Sequence, residues 1–239
     1  MDDLAYSDSL YPWKRPFPWV TWFLVGSTVA VFLLQLRSLH LYGEDTVGDT
    51  LAFSALAWDD HRYWTLVTYA WAHAVAIFDQ PDLFWLHLVG NMIPLVCLGP
   101  LLEECLGPVR YLGLYLGGAV AAALFWFALN PASDEPIIGA SGAVFALLGA
   151  TGALAPDKYD LYLAFFWHRL RMSLRVFALV ACGTELAQAL FGWLPQIAHS
   201  AHLGGAAFGF LYIVANRFLS RHFAPPVVAA EPGEGQPPA

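Results

Sequence analysis

The chain has 239 residues, 58% hydrophobic, 15% aromatic and 13% charged, with a net charge of −8 and a mean hydropathy of +0.54. A soluble domain carries about 25% charged residues, so a water-facing globule is excluded. The acidic balance excludes nucleic acid as a partner, which would need a basic patch.

Composition therefore predicts an all-α membrane protein whose core lies in lipid. Ten Trp and ten Tyr suit helices that end at lipid–water interfaces. Residues 1–16 read as a short cytoplasmic N-terminus. Met1–Asp8 is acidic and no small-residue cleavage site follows the first apolar run, so that run is expected to stay as a transmembrane helix. A spanning helix needs about 20 largely apolar residues. Six segments answer, with varying clarity: Phe17–Leu36, Trp85–Leu102, Tyr111–Leu129, the shorter Gly139–Leu154, Val176–Leu194 and Ala201–Leu219. Residues 17–221 thus read as one six-helix membrane domain. The acidic stretch Arg37–Phe84 separates the first two spans, and its aromatic-rich part, Arg62–Ile77, reads as interfacial. Residues 222–239 are rich in Pro, Ala and Gly, a composition that predicts disorder. Cys97, Cys105 and Cys182 sit at apolar helical positions without metal or disulfide spacing and are expected to be buried thiols.

Charge sets the orientation. With six spans, both termini and the loops after the second and fourth spans share one side. Of the eleven Lys and Arg, all but Arg37 and Arg62 fall there, which makes that side cytoplasmic. A bacterial cytoplasmic (inner) membrane is expected. The fourth and sixth spans then both start at the outer face, so Ser141 and His202 share one depth.

A serine hydroxyl becomes a nucleophile only when a base takes its proton, so it needs an imidazole within reach. Small faces offer a way to touch. Gly142, Ala146, Gly149 and Ala153 recur along the fourth span, and Gly205 and Gly209 form a GxxxG pair below His202; such faces let membrane helices approach closely. His87 and Asn91, at i and i+4, share the face that opens the second span. Together with the Ser141 amide they are donors suited to an oxyanion. The same residues also admit plainer readings: packing seams, interfacial polar groups, or a transporter or channel in which His87, His199 and His202 line a polar path or bind a metal. The His-x-x-His spacing is loose, and the HExxH signature is missing from the sequence.

Three motifs in order, His87-Leu88-Val89-Gly90-Asn91 (HxxxN), Gly139-Ala140-Ser141-Gly142 (GxSG) and Ala201-His202-Leu203-Gly204-Gly205 (AHxxG), fall on the second, fourth and sixth spans. In this the chain resembles the rhomboid family of intramembrane serine proteases, over about Arg62 to Leu219. The resemblance implies a six-transmembrane-helix rhomboid-like bundle without cofactor or metal. It implies Ser141 as nucleophile and His202 as general base of a dyad, with His87, Asn91 and the Ser141 amide as the oxyanion hole. Phe145 falls where the family often stacks an aromatic ring on the catalytic imidazole. Gly139, Gly142, Gly205 and Gly209 would support the site. The implied partners are the lipid bilayer and transmembrane segments of other proteins, cleaved near the outer face. The alternative is a catalytically weak rhomboid-like protein that binds or escorts membrane proteins.

Some positions depart from the family pattern. His61-Arg62 stands where a Trp-Arg pair is usual, Gly90 replaces a bulky residue, and the 74–86 loop is extended. His199 stands where Asn or Asp is frequent and is not expected to act directly. Glu103 looks structural. No acidic third member is evident beside His202. Glu185 lies in mid-span, where a carboxyl must be paired or neutral, and a structural hydrogen bond across helices is expected.

Overall fold

The structure, a computed structural model, describes residues 17–75, 85–133, 135–154, 160–165, 168–194 and 198–223. The expected N-terminal segment 1–16, most of the 222–239 tail and most of the 74–86 loop lie outside the described residues.

Helix α1 (Trp19–Tyr42) ends at Gly43, whose φ of 75° lets its N–H reach Leu39 O. Three short helices follow: α2 (Thr46–Leu51), capped by the Asp45 carboxylate, α3 (Ala55–Asp59), capped by the Ser54 hydroxyl, and α4 (Thr65–Thr68). Next come α5 (Leu86–Leu106) and α6 (Pro108–Leu129), joined at Gly107 with φ 76°. Helix α7 (Ser141–Leu154) leads through strands β1 (Asp160–Phe165) and β2 (His168–Ser173) to α8 (Leu174–Phe191) and α9 (His199–Phe223). The six longer helices coincide with the six apolar segments.

Helices α1, α5, α6 and α8 are long and apolar enough to cross a membrane. Helix α7 has only 14 residues, about 21 Å at 1.5 Å per residue, against a hydrocarbon core of about 30 Å. Its burial explains how so short a helix persists. Ala143, Ala146, Leu147 and Ala150 have no exposure, and α5, α6, α8 and α9 all pack around it. Backbone that ends inside protein need not meet lipid. Tyr69, Tyr111, Tyr115, Leu24 and Leu95 fill the remaining core.

The helical membrane fold is as expected, with one short hairpin added to it: β1 and β2 pair antiparallel, Asp160 opposite Ser173 and Phe165 opposite His168. The stretch Asp160-Leu161-Tyr162-Leu163-Ala164-Phe165 mixes residues that favour strands and lies between apolar spans, where a hairpin satisfies its own backbone. One expectation needs correction: the cysteines are not buried. Cys97 and Cys105 are exposed and Cys182 is half-buried. In lipid an apolar helix face can point outward, so apolar position does not imply protein interior.

Glu103 acts structurally. Its carboxylate accepts from the Val20 and Thr21 N–H groups at 3.0 and 2.9 Å and from the Thr21 hydroxyl at 2.8 Å. Pro18 makes no side-chain hydrogen bond to cap α1, and a carboxylate from α5 satisfies the free amides and the positive dipole end.

Candidate active site

The site is built where α7 and α9 touch. A methyl group on Gly205 would strike the Gly142 carbonyl, one on Gly209 the Ala146 carbonyl, and one on Gly149 the Ala206 carbonyl. Only glycine lets the two backbones come this near. The small faces of the two segments therefore meet, and the residues at their heads are brought together.

Ser141 is the first residue of α7, and His202 lies in the first turn of α9. Ser141 Oγ and His202 Nε2 are 2.8 Å apart. His202 is 8% exposed, and the Phe145 ring stacks on its imidazole at 4.4 Å between centroids and 10° between planes. These contacts fix the ring's plane while leaving Nε2 facing the hydroxyl.

Gly139 turns the chain into α7 with φ +113°, a conformation that disfavours any side chain. Its N–H donates to Tyr69 O at 2.9 Å. A Cβ at this position would stand 2.7 Å from His87 Nε2 and 3.5 Å from Asn91 Nδ2. Both side chains thus converge beside Ser141. His87 Nδ1 accepts from the Ala74 N–H at 3.0 Å, so the neutral ring carries its proton on Nε2, directed at the site. Asn91 donates to His87 O at 3.0 Å and keeps a second N–H.

The motifs did not point to Gln35 and His73, which hold this arrangement from α1 and the loop after α4. Gln35 binds the His73 backbone from both sides, accepting from its N–H at 2.9 Å and donating to its carbonyl at 3.0 Å. The His73 ring is fully buried. Its Nδ1 faces Trp71 O at 3.3 Å and its Nε2 accepts from the Ala140 N–H at 3.4 Å. Burial, with the neighbouring His87, pushes its pKa down to about 3, so the ring is neutral and can accept. A readable signal existed: a glutamine inside an apolar span needs a partner.

Glu185 supplies another correction. An acidic group does stand beside His202, brought there by α8. Glu185 Oε2 is 2.7 Å from His199 Nδ1 and 2.9 Å from His202 Nδ1. The first contact is a hydrogen bond, in keeping with the expected link across helices. The second has the distance of an ion pair but not the alignment of a hydrogen bond, and His202 Nδ1 has no such partner. The donor atoms of Glu185, His199 and His202 lie within 4.8 Å of one another and form a set that suits a metal ion. A cation on His202 Nδ1 would, however, leave the ring's proton on Nε2 and remove the lone pair that faces Ser141.

His61 has φ 60° and its ring stacks with Tyr63. Gly90 faces open space.

A sequence model of the rhomboid domain matches residues 60–217. The chain is 28% identical over 152 residues to RHOMBOID-like protein 5 of Arabidopsis thaliana, covering 64% of this chain and 43% of that protein. It is 33% identical over 155 residues to RHOMBOID-like protein 1 of the same plant, covering 63% and 34%. It is 34% identical over 138 residues to Rhomboid protein 1, mitochondrial, of Saccharomyces cerevisiae, covering 54% and 37%. The chain spans less than half the length of these curated relatives. With the domain matched over most of the chain and apolar helices long enough to cross a bilayer, the protein is an integral membrane protein that belongs to the rhomboid family.

Proposed function

We propose that the protein is an intramembrane serine endopeptidase that cleaves transmembrane segments of other membrane proteins near the outer face. The observation that carries this reading is the 2.8 Å contact between Ser141 Oγ and His202 Nε2, at the end of two helices packed backbone to backbone. His202 takes the hydroxyl proton as Oγ bonds to the scissile carbonyl carbon. The tetrahedral oxyanion is held by the Ser141 N–H, His87 Nε2–H and Asn91 Nδ2–H. Collapse breaks the C–N bond, and the His202 proton passes to the departing amine. Water then attacks the acyl-enzyme with His202 again as base, releasing the carboxyl product and the serine.

Phe145 holds the imidazole, while Gly139, Gly142, Gly205 and Gly209 permit the close approach. Family membership supports the reaction class, and the neutral His87 tautomer supports the oxyanion role. The Lys and Arg asymmetry supports cytoplasmic termini, and we place the protein in a bacterial cytoplasmic membrane. Liposomes containing a single-span substrate test the reaction. Wild-type protein should cleave it, and Ser141→Ala and His202→Ala should not, with helicity and thermal midpoint unchanged. Cleavage retained in Ser141→Ala overturns the mechanism and favours the binding or escort alternative.

A further inference from the structure

We propose that Glu185 is a positioning residue for His202, so that the dyad works as a Ser141–His202–Glu185 relay with His199 anchoring the carboxylate. The inference rests on the Ser–His reading and adds a member to it. Glu185 comes from α8, and the two imidazoles, His199 and His202, come from the first turn of α9. The Glu185, His199 and His202 side chains are 12%, 7% and 10% exposed. A carboxyl so placed is retained only if something meets it.

The hydrogen inventory gives each atom a part. His199 Nε2 faces two acceptors, Trp193 O at 2.8 Å and Leu194 O at 3.2 Å, so it carries a proton. Its Nδ1 lies 2.7 Å from Glu185 Oε2, a distance that requires a second proton between them. That hydrogen bond holds the carboxyl group in place, whichever of the two atoms carries the shared proton. Leu194 has φ 50°, an uncommon conformation for a leucine; the chain bends into it at a carbonyl that receives the His199 N–H.

His202 has the complementary need. To accept the Ser141 proton its Nε2 must be bare, which leaves its own proton on Nδ1. That atom is buried without a hydrogen-bond partner, and Glu185 Oε2 stands 2.9 Å away. A small ring rotation aligns the pair when the imidazolium forms, as catalytic contacts tighten on the way to the transition state. The carboxylate then selects the productive tautomer and faces the new positive charge. A clasp between α8 and α9 alone would need only the His199 contact and would not place the same oxygen against His202.

The test uses full-length protein in liposomes: wild type, Ser141→Ala, Glu185→Gln and Glu185→Asp. Two quantities are read, the rate at which a fluorophosphonate modifies the serine, and kcat and KM for a single-span substrate. Glu185→Gln keeps the shape and removes the charge. It should lower the labelling rate and kcat by roughly ten- to a hundredfold, with KM little changed. Glu185→Asp should recover much of the loss. Wild-type rates in Glu185→Gln overturn the proposal, as does equal impairment of the Gln and Asp variants, which would assign a shape role only. Failure of the wild type itself to react sinks the Ser–His reading first, and is distinguishable from either. A measurement on wild-type protein removes dependence on variant folding: 15N-histidine NMR should place the resting His202 proton on Nδ1, and a proton on Nε2 overturns the relay.

Discussion

Ser141 Oγ lies 2.8 Å from His202 Nε2 although 61 positions separate the two residues in the chain. The proximity depends on glycines that hold no functional group. The Gly142 carbonyl fills the space a Gly205 side chain would need, and the Ala146 carbonyl does so for Gly209. Helix packing distance is thus the variable that sets the reactive distance.

Replacing Gly205 or Gly209 with Ala should push α9 from α7, destabilise the protein by about 1–3 kcal/mol or more, and lower labelling of Ser141 more steeply than stability. Gly90 offers the opposite control, since nothing stands within 4 Å of its missing side chain. Gly90→Ala should stabilise α5 by about 0.5–1 kcal/mol. Thermal unfolding in detergent, read beside the fluorophosphonate rate, checks both.

His87 and Asn91 flank Gly139 from α5. If they hold the oxyanion, His87→Ala and Asn91→Ala should each lower kcat by about 10²–10³ while leaving KM nearly unchanged. Steady-state kinetics with a single-span substrate decides. A change confined to KM would place these residues in substrate binding instead.

His73 makes stability depend on pH. Its folded pKa is about 3, below its unfolded value of about 6.5, so the unfolded chain binds the proton more readily. The stabilisation is fully present above about pH 6.5 and is lost as pH falls toward 3, at up to about 1.4 kcal/mol per pH unit. Thermal midpoints measured between pH 7 and 4 should fall, and His73→Gln should flatten that decline. An unchanged slope in the variant would assign the acid sensitivity to other groups.

Glu103 accepts three hydrogen bonds at the start of α1 and is 5% exposed. Glu103→Ala leaves buried amides unpaired and should reduce stability by about 1–3 kcal/mol. Glu103→Gln keeps acceptors for part of that set and should lose less. Midpoints that match wild type in both variants would refute the capping role.

Added chelator should leave cleavage unchanged, because the proposed chemistry passes through Nε2 of a metal-free His202. Micromolar zinc should instead inhibit, through the Glu185, His199 and His202 donor set, by moving the remaining proton onto Nε2. Activity that requires zinc would reverse the reading.

The sequence by itself determined what depends on composition and short-range period. Hydropathy located the six apolar segments, and charge asymmetry gave the expectation that Ser141 and His202 share one depth. The spacing of Gly142, Ala146 and Gly149 against Gly205 and Gly209 showed which faces were small enough to meet. The ordered motifs pointed to the family that the domain match then showed. Tertiary structure alone decided lateral neighbours. Glu185 sits among apolar residues on α8, and only the rotation of that helix aims it at His199 and His202. His73 lies in a loop without periodicity, and Gln35, one polar residue on α1, decides where that loop runs. The cysteines were assigned to the interior wrongly, because lipid and protein interior are both apolar. Period and hydropathy are local properties of a helix. Which helices touch, and at which rotation, is settled by packing among side chains far apart in the chain.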